Sequence, residues 1–471
     1  MSDSYEFVII GGGSAGYAAA RTAVELGMKT AVIDGAETLG GLCILRGCMP
    51  SKSLIESANR FITLRRAEEF GLSAGSISVH PEKIRARKRA LIGEFAGYRQ
   101  GQLEDGRFDL FRGTANYVDG KTIRVALRDG GERTINADSS LVASGSAISR
   151  PPIPGLEETG YLVSDDTLDA GELPDSIIVL GGGAIALEMA HYYEGLGGET
   201  TGIKRSPQVL KSIDEDVAKA LEKAFIDRGI ALYTGTSLTR VGAEDGQKVV
   251  YFDHGGEGKS VRADEILQAL GRHPNTDGLS LEAAGVELDG HHIRTDAQQA
   301  TSAANIFAAG DVAGPHEVVH IAIEQGEAAA TNAAVHLGKL DPSKQESISY
   351  DLKLFGVFTE PQVASVGLSE REAKQAGIDC ISADYPFDDH GKSMVLGETH
   401  GFVKLIAERS SGRLIGGAVV GPEASELIHE IVVALRYGAT AAEFARIPHY
   451  HPTLSEIWTY PAEDLAELAG P

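Results

Sequence analysis

Twice in this chain a short apolar run ends in a glycine-rich turn and passes directly into a helical stretch, an order of elements that few folds accept. Phe7-Val8-Ile9-Ile10 runs into Gly11-Gly12-Gly13-Ser14-Ala15-Gly16, then an alanine-rich stretch to Gly27, then a second strand from Thr30 to Ile33 that ends in Asp34. Such a unit binds a dinucleotide. The glycines let the backbone approach a pyrophosphate at the helix N-terminus, and the acid accepts hydrogen bonds from ribose hydroxyls. The order returns at Ser176-Ile177-Ile178-Val179-Leu180, followed by Gly181-Gly182-Gly183-Ala184-Ile185-Ala186 and a helix expected to begin at Leu187-Glu188. Downstream the two copies differ. The strand ending near Ile203 delivers Lys204 and Arg205 where an acid would sit. Cations there would clamp a 2′-phosphate, so the second site reads as NADP rather than NAD, the competing reading being two surface cations at a strand end.

A length of 471 residues allows about three domains at a typical domain size of roughly 150 residues. With 42% hydrophobic residues each has enough for a core. Pro151, Pro152 and Pro154 after Ala143-Ser144-Gly145-Ser146 mark one expected domain crossing, and Gly271-Arg272-His273-Pro274-Asn275 a second. The segment Ile306 to Gly310-Asp311 reads as a strand closed by Gly-Asp, and the part beyond about Tyr350 as α+β. The net charge is −24, which argues against nucleic acid or an anionic membrane as partner. The basic run Arg85, Arg87, Lys88, Arg89 is read as a solvated helix face. No apolar run is long enough to span a bilayer, and the polar opening before Phe7 is unlike a secretory signal. Three cysteines cannot form a secreted disulfide framework, so a reducing cytoplasm is the expected compartment and any disulfide is expected to do chemistry.

Two of the cysteines lie close together, in Gly40-Gly41-Leu42-Cys43-Ile44-Leu45-Arg46-Gly47-Cys48-Met49-Pro50-Ser51-Lys52. On one regular helix they would be separated by about 7.5 Å of rise, too far to pair, so the segment is expected to bend, which Gly47 permits. Pro50 fits the first turn of a helix, which puts Cys48 at a helix N-terminus, where the dipole favours a thiolate. Cys380 stands alone and is read as incidental. Near the C-terminus, Pro448-His449-Tyr450-His451-Pro452-Thr453-Leu454-Ser455-Glu456 offers two readings. Glu456 can hold His451 for proton transfer, or Thr453 and Glu456 can form a capping box; both can operate at once.

Taken in order, the two Gly-rich turns, the Cys-X4-Cys segment with Pro-Ser-Lys after it, the Gly310-Asp311 strand end and His-Pro-Thr-X-X-Glu resemble the flavoprotein disulfide reductases, the group of dihydrolipoamide dehydrogenase, glutathione reductase and mercuric reductase. The resemblance spans essentially the whole chain. It implies two Rossmann-like three-layer dinucleotide-binding domains plus a C-terminal α+β dimerisation domain, divided as 1–150 (FAD), 151–272 (NAD(P)H), 273–345 (central, completing the FAD site) and 346–471 (dimerisation). It implies FAD around Gly11, Gly13, Ser14, Ala15, Gly16, Asp34, Gly41, Lys52, Ala115, Gly145, Gly310 and Asp311. NADPH, in preference to NADH, would meet Gly181, Gly183, Ala184, Ile185, Glu188, Lys204 and Arg205. Cys48 matches the flavin-proximal thiol, Cys43 the thiol that attacks substrate, and Lys52 with Glu188 an ion pair near the flavin. His451 and Glu456 match an acid-base dyad that one subunit of a homodimer lends to the other. Electrons would run from NADPH through FAD and the cysteine pair to a small-molecule or small-protein disulfide.

The chain also departs from members of that group. No cysteine follows Cys380, unlike mercuric reductases and the thioredoxin reductases with a C-terminal redox pair. Arg21 resembles glutathione reductases, but Asn332 stands where a second substrate-anchoring arginine would align. Ala184 replaces a Tyr that covers the nicotinamide pocket in many members, and Leu45-Arg46 replaces Asn-Val between the cysteines. A quinone reductase or other-acceptor flavoprotein, a mercuric-reductase-like enzyme and a flavoprotein subunit of a multienzyme complex are the alternative readings.

Overall fold

Alternating apolar residues in the strand Asp3–Ile10 feed two separate cores, and this layering organises the first of two compact units into which the chain divides. The computed structural model describes residues 3–469. The first unit gathers 1–51, 86–149 and 271–349; the second gathers 52–85, 150–270 and 350–471.

In the first unit, Phe7 and Ile9 face the helices Ser14–Glu25 and Val319–His336, while Val8 and Ile10 face the opposite layer. Parallel strands run in the order 109–112, 30–34, 3–10, 135–142 and 306–308, with Ile9 opposite both Val32 and Leu141. The far halves of Asp109–Tyr117 and Glu132–Val142 join Thr122–Leu127 in an antiparallel meander, which makes the third layer. Alanines at 18, 19, 20 and 23 on one helix, and at 328, 329, 330, 333 and 334 on the other, are buried. Their small side chains let the two helices approach each other and the sheet closely.

The second unit repeats the parallel arrangement with strands Glu265–Gln268, Ser176–Leu180, Glu199–Ile203 and Ala231–Tyr233, beside a three-stranded antiparallel meander over 236–263. Its C-terminal part is a five-stranded antiparallel sheet in the order 354–357, 362–367, 414–421, 402–408, 380–386. The amphipathic helix Ala424–Arg436 buries Leu427, Ile428 and Ile431 in that part's core, which Trp458 completes. The fold class is mixed α/β as expected. No helix among the described residues is long and apolar enough to cross a membrane.

Two local expectations are corrected. The second glycine turn opens its helix at Ala184, not Leu187, because Gly183 is already extended and caps it, leaving Ala184-Ile185-Ala186 free to enter the first turn. The basic run is not wholly solvated. Lys88 is only 5% exposed, because the helix Pro81–Leu103 turns it to the same side as the buried Ile92 and Ala96.

Candidate active site

In the first unit a cavity of about 450 Å³ opens where the glycine turn meets the ends of the parallel strands. Gly11, Gly13, Ser14 and Ala15 line it, as do Asp34, Gly41, Ala115, Gly145, Gly310 and Asp311. Gly16 does not. A Cβ there would run into the Gly11 carbonyl oxygen, so its role is close packing of the helix on the turn. Replacing Gly16 by alanine is expected to cost about 1–3 kcal/mol or more through overpacking, read as a lowered melting temperature with loss of bound flavin. An unchanged melt would show that the turn yields freely.

The polar groups of the cavity are held in place. Asp34 accepts a hydrogen bond from the Gly12 N–H at 2.9 Å and another from the Ala36 N–H at 2.8 Å, one on each carboxylate oxygen. Each oxygen keeps a lone pair for a ribose hydroxyl. On the other wall, Ser146 Oγ donates to Asp311 at 2.6 Å and accepts from Arg272 Nε at 2.8 Å. Buried Gln325 accepts from the Gly310 N–H and donates to the Gly314 carbonyl, both at 2.7 Å, which fixes the Gly-Asp turn. Glu317, which sequence reasoning missed, also lines the cavity; burial first, and then the charge of Asp311, push its pKa up. Glycine walls, a helix N-terminus and oriented carboxylates fit the dinucleotide part of FAD.

Both cysteines line the same cavity and are half-buried. They sit on separate elements. Cys43 lies on a short helix, Gly41–Leu45, and Cys48 opens the helix Cys48–Arg65. Between them the chain folds back so far that a Cβ on Gly47 would stand 3.2 Å from Cys43 Cα. At Gly41, φ is +72° and a Cβ would come within 2.7 Å of Gly13 Cα, so glycine is required where the cysteine segment meets the first glycine turn.

In the second unit, Lys52 Nζ donates to both oxygens of Glu188 at 2.9 Å and lies 4.5 Å above the Phe358 ring. Glu188 is 4% exposed and also accepts the Phe358 N–H at 3.1 Å. Phe358 carries no motif, so its part was invisible in the sequence. Gly181 and Gly183 form the second turn, and Ala184 and the exposed Ile185 open the helix after it. Lys204 follows the strand Glu199–Ile203 and packs where a Cβ on Gly182 would fall, and Arg205 is exposed. Burial lowers the Lys204 pKa, and the charges of Lys211 and Arg205 lower it further. Among the described residues no carboxylate pairs with Lys204. Lys211 was not singled out from the sequence.

His451 Nδ1 and Glu456 Oε2 are 3.0 Å apart. A carboxylate only accepts, so the proton sits on Nδ1 and leaves Nε2 available to take another. The side chain of His451 is 79% exposed in the single chain. The capping-box reading fails, because Thr453 Oγ1 has no partner and Glu456 is turned to histidines instead. Its other oxygen lies 3.4 Å from Nε2 of His390, a fully buried residue whose Nδ1 meets Ser393 Oγ at 2.8 Å. Burial lowers the His390 pKa, so it packs as a neutral ring beneath the pair. His449 is occupied by Glu430 at 2.7 Å and stands outside the dyad. Cys380 begins the edge strand Cys380–Pro386.

Comparison with known proteins agrees with this geometry. Residues 5–326 match the pyridine nucleotide-disulphide oxidoreductase family and residues 355–462 its dimerisation domain. A dihydrolipoyl dehydrogenase of Geobacillus stearothermophilus is 32% identical over 98% of this chain and 96% of its own length. Another, from Pseudomonas aeruginosa, is 34% identical over 95% of each. The crystal structure of LpdA from Mycobacterium tuberculosis superposes with a TM-score of 0.86 at 30% identity, covering 98% of this chain and 99% of that one. The turns, the cysteine pair and these matches together make the chain a member of the pyridine nucleotide-disulphide oxidoreductase family, a flavoprotein oxidoreductase that acts on a sulfur group with NAD(P).

Proposed function

We propose that the protein is a homodimeric, FAD-dependent NADPH:disulfide oxidoreductase, and the observation that carries this reading is that Cys43 and Cys48 line one cavity with the first glycine turn. FAD, when bound, supplies the two-electron link between the nicotinamide and the cysteine pair. The remaining steps belong to the chain. The Cys43 thiolate attacks one sulfur of the substrate disulfide, a mixed disulfide forms, and the departing thiolate takes a proton from His451. Cys48, whose helix N-terminus favours its thiolate, then attacks Cys43; the second thiol leaves and the Cys43–Cys48 disulfide closes. Lys52, fixed by Glu188, supplies a cation of set position. In this reading 1–150 and 273–345 build the FAD site, 151–272 takes the coenzyme and 346–471 dimerises, bringing His451 to the partner's cysteines. The cysteine count supports the cytoplasm as its compartment.

The preference for NADPH rests on the cluster of Lys204, Arg205 and Lys211, in which burial first and then the charges of Lys211 and Arg205 lower the pKa of Lys204. A 2′-phosphate would supply a counter-charge. Each charged hydrogen bond to it is worth roughly 1.5–3 kcal/mol, so neutralising Lys204 and Arg205 together should raise the NADPH KM by about an order of magnitude or more and hardly alter that for NADH. Equal effects on both coenzymes would show that these side chains point elsewhere. A second reading, oxidation of a dihydrolipoyl group, is favoured by the names of the curated relatives. Assay of lipoamide, oxidised glutathione and small protein disulfides, each under NADPH and NADH, separates the two; no reduction of any disulfide would refute the reading.

A further inference from the structure

Glu456 has two carboxylate oxygens, and its pairing with His451 uses one. The other lies 3.4 Å from Nε2 of His390, a fully buried ring whose Nε2 has no other partner among the described residues. On its far side, Nδ1 is 2.8 Å from the equally buried hydroxyl of Ser393. Local backbone holds the ring in place. His390 stands where the turn Phe387–Asp389 passes into the helix Gly391–Leu396, donating its N–H to the Phe387 carbonyl at 3.2 Å and accepting the Met394 N–H at 3.0 Å. Burial outweighs the pull of Glu456 and lowers the His390 pKa, so the ring carries one proton. Placed on Nδ1, that proton would leave the Nε2 lone pair facing a carboxylate oxygen, two acceptors in a buried place. Placed on Nε2, it points a donor at Glu456 while Ser393 donates to Nδ1, and every group is matched. The other titratable groups facing the ring fit this state. His451 stands across Glu456, and its positive form would oppose a second charge on His390. Tyr460, on the helix Thr459–Leu468, meets the ring edge-on with centroids 6.5 Å apart. Tyr385 stacks on Tyr460, and Asp389 is engaged by the Tyr385 hydroxyl at 2.9 Å.

We infer that His390 is a positioning residue for the acid-base pair: it donates Nε2–H to the second oxygen of Glu456 and so sets how firmly that carboxylate holds the proton of His451. A carboxylate that already accepts one N–H is a weaker base toward the next. With part of its charge taken up by His390, Glu456 steadies the imidazolium of His451 without locking it, which suits a group that must give a proton to a departing thiolate and later take one back. The inference rests on the disulfide reading above for the use to which the proton is put, and deepens it; the contact itself stands apart from that reading.

The experiment reads the proton of His451 without a substrate. Diethyl pyrocarbonate attacks the neutral imidazole, so its rate of labelling His451 in the holoenzyme, followed by mass spectrometry across pH, has a midpoint that reports this proton. His390→Leu removes the donor and should raise the midpoint by about half a unit to one unit, because a carboxylate left with one donor holds the imidazolium harder. His390→Gln, whose amide offers an N–H at similar reach, should keep the wild-type midpoint. With a disulfide that the enzyme reduces, the pH at which kcat falls by half should move in the same direction in His390→Leu, with KM unchanged. A labelling midpoint that His390→Leu leaves in place or lowers, or that His390→Gln raises equally, would overturn the proposal. Should His390→Leu fail to fold, neutron diffraction from crystals of the wild-type holoenzyme decides: a deuteron on Nε2 of His390 alone supports the proposal, and one on Nδ1 or on both nitrogens overturns it. Should no disulfide be reduced while His390→Leu raises the labelling midpoint and His390→Gln does not, the disulfide reading fails and the role of His390 holds.

Discussion

Serine at position 43 will abolish NAD(P)H-dependent disulfide reduction, leaving only the uncatalysed background, in a protein that keeps its flavin and its melting temperature. The hydroxyl of serine is not ionised near neutral pH, and no other thiol lines the cavity except Cys48. Because Cys43 lies on its own short helix, with the backbone of Gly47 against its Cα, the substitution removes one sulfur and disturbs no core. The measurement is steady-state NADPH oxidation with each disulfide of the panel, beside flavin content and thermal melting. Full turnover with physiological acceptors would mean that electrons leave by a route that bypasses the cysteines, which is how a quinone reductase would behave.

For His451→Ala the expected loss is about 10² to 10⁴ in disulfide reduction, the usual worth of a placed acid-base group, with reduction of the flavin by NADPH nearly as fast as in wild type. The geometry supports this split. Glu456 holds the Nδ1 proton, so Nε2 alone exchanges protons, and the ring is largely exposed in the single chain, as a residue lent to a neighbour would be. If His451 serves the partner's cysteines, as proposed, a mixed dimer of one Cys43→Ser chain and one His451→Ala chain would hold one intact site and one doubly defective site. Under random reassociation such a mixture should recover up to about a quarter of wild-type activity, since half the dimers are mixed and half their sites are whole. If subunit exchange is demonstrated and no activity returns, the site is built within one chain.

Both glycine turns, the helix start at Cys48 and the strand end at Gly310-Asp311 were legible because each is a local rule: a turn that admits only glycine, a proline confined to a first turn, a strand closed by a polar pair. The bend between the cysteines was legible for the same reason. What escaped was non-local. Gly16 looks like a cofactor glycine in sequence, yet its tight neighbour is the carbonyl of Gly11. Thr453 and Glu456 have the spacing of a capping box, but tertiary structure sets Glu456 between His451 and His390, which is far away in the chain. Lys88 sits in a run of charges that reads as solvated, and only the phase of its helix buries it. Phe358 and Lys211 belong to no motif; each matters through the neighbour that folding brings to it.

The strand Ile306–Ala308 is the last to join the sheet that carries the first glycine turn, pairing with residues 140–142. Its partners leave the ribosome long before it does, because a whole second dinucleotide-binding region is made between them. At about 5–20 residues per second that interval is on the order of ten seconds. Throughout it, the edge of residues 140–142 lacks its neighbour and the turn bearing Asp311 does not exist. Closure of the cavity is therefore tied to synthesis past residue 311: a ribosome stalled anywhere before residue 306 holds a chain that cannot finish that pocket, however well its second unit has folded.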